Sequence, residues 1–429
     1  MDFMTIEPNY SRWKAGLQRH GDDALAAIPP LEIATDTIHV FPLGPGGDAP
    51  TLDVLARSFG GNTRSHFLVV FSAALGATAR TQGSPPYFSG DQLAATSGLP
   101  LLAISDPTLA MDNEIRLAWY VGNHATGPLF GRIAEVIDAL ALQTGKTPIL
   151  VGGSGGGYAA LSTAHYLRGA ADVVVSNPQT CISRYMKEAG HQFLKTGFGV
   201  RRPQGIPEPK DAESLQALLD DICPEFDTRV PDAALLRRNK RVFYLQNISD
   251  HAHVKNHARP YFDNESFPDR SGKCFVTEDG RMIFFPGEWG QGHAKTPMGL
   301  LAGILEGIVK GESASHLAKE RLEKSEWAAA KPFLTLLGQS LDRRNAFIQA
   351  EKASESRMAV ALSIPYPKRT LEYAFYLRGP DGVLHQVPYQ KSAKASFELV
   401  DVRFPALLTV FAKDNLGVIK TVRRRIDAL

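Results

Sequence analysis

The sequence predicts an α/β protein: a doubly wound, mostly parallel sheet that carries a helical lid insertion and is followed by a small C-terminal β-sandwich. Three observations lead there. Between His66 and Gly311, apolar strand-like runs alternate with helical patterns, the order that buries a parallel sheet on both faces. Within that region a turn of four glycines and one serine, Gly152 to Gly156, joins one such run to an Ala-rich helical segment. Beyond residue 356 the chain changes to short β-rich runs separated by turns such as PDG and DNLG, which are hairpin signals at regular spacing.

Taken in order, residues 1–30 are polar, end in Pro29-Pro30 and read as an N-terminal extension with room for one helix. The domain of residues 31–311 opens with the strand-like IATDTIHVF and the loop PLGPGGDAP. The continuous run HFLVVFSAALG, His66 to Gly76, is the first strong buried-strand signal. Leu99 to Ile104 is a second, Arg116 to Val121 (RLAWYV) a third, and Gly131 to Leu142 has Ile133, Val136, Ile137 and Leu140 at helical spacing. Thr147 to Val151 leads into the Gly-rich turn, a helix to about Arg168 follows, and ADVVVSNPQ is the next strand. Residues 183–240 are charged, contain Pro203, Pro207 and Pro209, and include two short helical patterns, Ala212 to Ile222 and Pro231 to Arg238. An insertion of that length is expected to lie over the strand ends as a lid. Strand signals resume at Arg241 to Asn247 and Arg281 to Gly287, and Pro297 to Gly311 reads as the closing helix. Residues 312–355 are expected to form a helical connector, and residues 356–429 the β-sandwich.

Composition narrows the function. The 429 residues are 44% hydrophobic and 21% charged with a formal net charge of +2, ordinary globular values that argue against disorder, a membrane protein or a nucleic-acid partner. The longest apolar run, Phe67 to Ala79, is too short to span a bilayer. Three scattered cysteines, Cys181, Cys223 and Cys274, without a C-x-x-C pair suit a reducing compartment. The charged N-terminal stretch lacks a signal-peptide core, so a cytoplasmic location is expected. The oligomeric state is not readable.

The chemistry centres on G-x-S-x-G at Gly152-Gly153-Ser154-Gly155-Gly156. Strand, sharp turn and helix together expose a serine oxygen at the tip of a strained turn, which makes Ser154 the candidate nucleophile. No Lys-Ser/Thr follows as a phosphate loop needs, and the glycines do not fall into G-x-G-x-x-G, so no cofactor is expected. A serine hydroxyl needs a histidine base, itself oriented by a carboxylate. Asp250, just past the strand RVFYLQN, and His293, just past RMIFFPG in EWGQGH, follow in the order Ser, acid, His. Glu288 or Asp279 are alternative acids. Backbone donors for an oxyanion are expected from Gly155 and from Ala73 or Ala74 after the strand HFLVVFS, although the H-G-G-G form of that loop is missing. His251, His253 and His257 crowd the Asp250 loop; a metal site there is weighed and set aside in favour of pocket histidines. His124, His253, His257 and Trp289 are candidates to line a substrate pocket.

With these residues in view, the chain resembles α/β-hydrolases of bacterial surface-polysaccharide and glycoprotein biosynthesis, in particular the accessory Sec system family of carbohydrate O-acetyltransferase-like proteins. The resemblance runs from about Phe67 to Val309 through FSAALG, SDPT with WYVGN, GGSGGGYAAL, VSNPQT, QNISDHAH with His257, and GQGH. It implies an α/β-hydrolase fold, Ser154, Asp250 and His293 as a triad, and acyl transfer or ester hydrolysis on a glycan or other small ester. The other function class consistent with the sequence is a catalytically weak hydrolase fold that serves as an assembly or glycan-binding component.

Overall fold

In a computed structural model, the structure describes residues 6–24, 27–47, 49–76, 83–200, 211–236, 240–262, 273–329, 347–363, 371–413 and 419–428. The chain divides into two compact units, one holding most of residues 1–330 and the other residues 331–429.

The first unit is built on one sheet. Its strands are β1 (Gly16–Arg19), β2 (Thr37–Pro42), β3 (Thr51–Arg57), β4 (His66–Phe71), β5 (Leu101–Ile104), β8 (Thr147–Gly153), β9 (Ala171–Ser176), β10 (Lys240–Asn247), β11 (Phe275–Val276) and β12 (Met282–Gly287), while β6 (Gly122–Asn123) and β7 (Gly127–Pro128) pair separately as a small ladder. The spatial order is β1-β2-β3-β5-β4-β8-β9-β10-β12-β11, with β3 and β11 antiparallel to their neighbours and the run from β5 to β12 parallel. The reason lies in composition. Val173, Val174 and Val175 of β9 are all buried, and a strand covered on both faces gains roughly 1.5–3 kcal/mol for each such side chain removed from water. Helices α1 (Asp91–Ser97), α2 (Phe130–Thr144), α3 (Gly155–Tyr166) and α7 (Met298–Val309) supply that cover. This is the α/β-hydrolase fold. The chain order reverses between β4 and β8, and the crevice at such a switch point, beyond the carboxyl ends of the strands, is where open α/β sheets bind ligands.

Between β9 and β10 the insertion folds as α4 (Lys187–Phe198), α5 (Ala212–Ile222) and α6 (Ala233–Leu236). Helix α5 has the expected bounds. Asp211 caps it by accepting from the Ser214 N–H at 2.8 Å, and its apolar face buries Leu215 and Leu219. Helix α4 has no counterpart in the expectation, because its KEAGHQFLKTGF sequence is too polar to stand out. Pro203, Pro207, Pro209 and Arg238 lie outside the described residues.

Three expectations are corrected. The N-terminal extension holds only one short 3-10 turn, Ser11–Trp13, among the described residues; Gly16–Arg19 extends the sheet by pairing in parallel with β2, and a polar edge strand needs only its backbone to do so. Arg116 to Val121 is not a strand. Trp119 and Tyr120 both take left-handed backbone, φ 56° and 60°, held there because Tyr120 N–H donates to buried Asp106 at 2.7 Å and Tyr120 Oη accepts from Ser72 N–H at 2.8 Å. Phe347–Ser354, expected in the helical connector, is strand β13, paired antiparallel with β14 (Arg357–Ser363). Part of the connector, residues 330–346, lies outside the described residues.

The second unit has two antiparallel sheets, β13-β14-β17 with β17 at Lys394–Glu398, and β16-β15-β18-β19 with β15 at Glu372–Arg378, β16 at Leu384–Gln390, β18 at Ala406–Lys413 and β19 at Ile419–Ile426. Every second residue of β18, from Ala406 through Leu408 and Val410 to Ala412, is buried with Met358, Val360, Tyr373 and Phe375 from both sheets. That is the period-two face of a sandwich.

Candidate active site

Ser154 sits between β8 and α3 with φ 52° and ψ −119°, a conformation that L-residues avoid. The surroundings force it. A Cβ on Gly152 would lie 2.1 Å from Gly156 O, and one on Gly156 would lie 2.4 Å from Phe71 O, so strand, turn and helix pack closer than any side chain allows. Ser154 N–H donates to Ser176 O at 3.0 Å, and Ser154 O accepts from Tyr158 and Gln179 N–H at 3.2 and 3.1 Å. The backbone is thus pinned on three sides. Ser154 Oγ accepts from Gln179 Nε2 at 3.0 Å, and Gln179 Oε1 accepts from Trp119 Nε1.

Gly155 opens α3, so its N–H has no acceptor within the helix. Ala73 and Ala74 are exposed on the loop leaving β4, and among the described residues their N–H groups donate to no backbone carbonyl. Leu75 and Arg116 tie that loop down through Leu75 N–H to Arg116 O at 2.8 Å and Arg116 Nε to Leu75 O at 2.7 Å.

Asp250 follows β10 and is buried, while His293 follows β12 and remains 44% exposed at its side chain. His293 Nδ1 lies 2.5 Å from Asp250 Oδ2. A carboxylate can only accept, so Nδ1 carries the proton and Nε2 is left as the basic nitrogen. Burial alone would push the Asp250 carboxyl up, but His253 and His293 beside it outweigh that and hold it well below the usual carboxylate range. His253 stacks on His293 with ring centroids 4.2 Å apart. Its Nδ1 lies 3.0 Å from the same Asp250 oxygen, off the line a hydrogen bond needs. Burial keeps His253 below the usual histidine range despite Asp250.

One polar network holds these loops in register. Asn177, itself left-handed at φ 42°, accepts at Oδ1 from Asn247 N–H at 2.7 Å and Gln246 Nε2 at 3.1 Å, and donates from Nδ2 to Ala294 O at 3.3 Å. Asn247 Nδ2 donates to Gly290 O and Gly292 O at 2.9 and 2.8 Å. The ends of β9 and β10 and the His293 loop are therefore tied together.

The other expected pocket residues divide. His253 joins the Asp250 cluster. His257 is buried, kept far below its usual range first by burial and then by His253, and its Nδ1 accepts from Thr180 N–H at 3.2 Å while its carbonyl accepts from Thr180 Oγ1; these contacts are structural. Trp289 braces the His293 loop, donating from Nε1 to Ala294 O at 3.3 Å. His124 is tied to Gly197 O through N–H at 3.0 Å and Nδ1 at 2.7 Å. The residues missed from sequence are Gln179, Trp119, Asn177, Asn247 and Tyr185, whose ring packs against those of Trp119, His253 and His257. For Asn177, Gln179 and Asn247 the one signal was a polar residue placed directly after an apolar strand; Trp119 and Tyr185 carried none. Asp250, His253 and His293 also bring three ligand atoms within 4.8 Å of one another, a donor set that suits a zinc-like ion. This is a different trio from the His251, His253 and His257 weighed from spacing, since His257 turns to Thr180.

No family model matches the chain, and no curated protein matches it. Among solved structures it is similar to an α/β hydrolase from Sphaerobacter thermophilus, at 14% identity and TM-score 0.31 over 62% of this chain and 98% of that one. Carboxyl esterase 2 of the mycorrhizal fungus Tuber melanosporum matches at 12% identity and TM-score 0.31, over 56% of this chain and 82% of that one. The d3–d4 domains of the rat CD45 extracellular region match at 15% identity and TM-score 0.15, over 19% of this chain and 48% of that one, so the chain spans about half of that structure. Among the described residues no helix is long and apolar enough to cross a membrane.

Proposed function

We propose that the protein is a serine esterase or O-acyltransferase in which Ser154 is the nucleophile, His293 the general base and Asp250 its orienting carboxylate. The observation that carries this reading is the strained Ser154 turn at the head of α3, accompanied by a His293–Asp250 pair whose protonated Nδ1 leaves Nε2 as a base. In the reaction, Ser154 Oγ bonds to the ester carbonyl carbon while its proton passes to His293 Nε2. The oxyanion is met by the N–H of Gly155 and of Ala73 or Ala74. Collapse expels the alcohol, which takes the proton from His293 and leaves an acyl-enzyme. Water or a second hydroxyl gives its proton to His293 as it attacks the acyl carbon, and collapse breaks the Ser154 Oγ–acyl bond with that proton returned from His293 to Ser154 Oγ. O-acetyl groups on a glycan or glycoconjugate, in the cytoplasm, are the substrate and setting we propose, and no cofactor is needed for these steps.

The test is a panel of acyl esters from acetyl to long chain, with sugar acetates included. Wild type should hydrolyse or transfer the short acyl group, and Ser154→Ala should lose at least about 10³-fold in kcat/KM without loss of fold. Equal turnover by the two proteins would overturn the proposal. A second reading, a binding component with little catalysis, is favoured by one observation: Ser154 Oγ is hydrogen-bonded by Gln179 and not by His293. Glycan binding without ester turnover would support it. Loss of turnover on chelation, restored by zinc, would instead favour a metal on Asp250, His253 and His293.

A further inference from the structure

We propose that Gln179 is a positioning residue for Ser154, one whose side-chain amide fixes which way the serine hydroxyl points. The inference rests on the reading of Ser154 as nucleophile and adds a residue to that machinery. An indole N–H can only donate, so Trp119 Nε1 compels Gln179 to face it with Oε1. That leaves the Gln179 NH₂ facing Ser154 Oγ, 3.0 Å away. The assignment does not depend on an arbitrary amide flip, because reversing it would set two N–H donors against each other. Ser154 Oγ is therefore an acceptor toward Gln179, and its one proton must be offered elsewhere.

A serine poised to give its proton to a base needs this polarity. If the neighbour at Gln179 were an acceptor, the hydroxyl would donate to it and the proton would be held away from His293. The position is built for the task. Gln179 and Trp119 are both fully buried, Gln179 N–H also donates to Ser154 O at 3.1 Å, and Trp119 is held by a left-handed backbone and by the Phe193 ring of α4, centroids 5.8 Å apart. Helix α4 thereby supports the indole that orients the amide, and the insertion reaches the nucleophile through this route. A buried glutamine whose oxygen meets a donor-only indole, and whose NH₂ faces the hydroxyls of Ser154 and Tyr185, transmits orientation and takes up no proton.

The test uses the full chain and a fluorophosphonate probe, in which Oγ bonds to phosphorus as fluoride leaves and the hydroxyl proton passes to the base. Second-order labelling rates are measured from about pH 8 to about pH 5 for wild type, Gln179→Glu and Gln179→Met, with thermal unfolding as a check on folding. At about pH 8 the carboxylate of Gln179→Glu accepts the serine proton, and labelling should fall by roughly 10²-fold. As pH drops the carboxyl protonates and regains a donor, so the ratio to wild type should climb. Gln179→Met has no donor at any pH; its labelling should be slowed by roughly tenfold without that recovery, and it carries the test if the glutamate variant does not fold. Labelling of Gln179→Glu within about twofold of wild type, or a deficit unchanged across this pH range, would overturn the inference while leaving Ser154 as nucleophile. A wild type that never labels would remove both.

Discussion

Asp53 stands in the middle of β3 with its carboxyl buried, accepting hydrogen bonds from Tyr10 Oη at 3.3 Å and Thr51 Oγ1 at 3.0 Å. Burial pushes its pKa up to about 7, and the two hydroxyl donors only partly oppose this. The folded value is above the unfolded one, so between about pH 4 and about pH 7 the folded chain holds a proton that the unfolded chain has released. Stability contributed at this position therefore falls as pH rises through that window. Asp53→Asn should flatten the decline, read from urea unfolding at a series of pH values; parallel curves for the two proteins would count against it. Asp250 has the opposite sign. Its depressed pKa contributes stability that is present above the unfolded carboxylate value and is lost as pH falls through the folded one. Two buried carboxylates in one unit thus pull in different directions, and only Asp250 has imidazole partners. In TLDVLAR the charged Asp53 interrupts the apolar run, so β3 carries a weaker strand signal than the unbroken runs that follow it.

At the scale of elements, the loop from Glu288 to Pro297 has little regular structure and depends on the end of β10 for its shape. Asn247 supplies it, with Nδ2 shared between Gly290 O and Gly292 O and Oδ1 accepting from Trp289 N–H at 3.3 Å. Asn247→Ala should leave these groups unpaired at about 1–3 kcal/mol and displace His293 enough to cost roughly 10²-fold in kcat, with KM little changed. Thermal unfolding and steady-state kinetics together check this, and an unaltered kcat would show that the loop keeps its shape without the clamp. The strands β4, β8, β9, β10 and β12 were legible because unbroken apolar runs such as HFLVVF and ADVVV have one physical explanation, burial on both faces. The elbow was legible because crowding demands glycine on both sides of Ser154. RLAWYV misled for the same reason that the strands succeeded: Leu117 to Val121 are apolar and buried, but Asp106 and Ser72, distant in sequence, capture Tyr120 and turn the chain. Gln179, Asn177 and Asn247 could be seen only as polar residues after a strand, since their roles depend on Trp119, Ala294 and Gly292 arriving from elsewhere.

Across the whole molecule, the first unit places Ser154 after β8, Asp250 after β10 and His293 after β12, so the three groups come from the carboxyl ends of strands on one side of the switch point. A parallel sheet brings distant segments to one edge in this way, and rigid strands leave only the loops to be set by the Asn177 and Asn247 network. The second unit has its own two-sheet core, which is what a separately folding module requires. The central claim is that this edge of the sheet activates Ser154 through His293. Intact-mass measurement after fluorophosphonate treatment tests it most directly. Wild type should gain one probe mass, mapped to Ser154, and His293→Ala should label at least about 10³-fold more slowly. A wild type that gains no mass, or a His293→Ala variant that labels at the wild-type rate, would contradict the account.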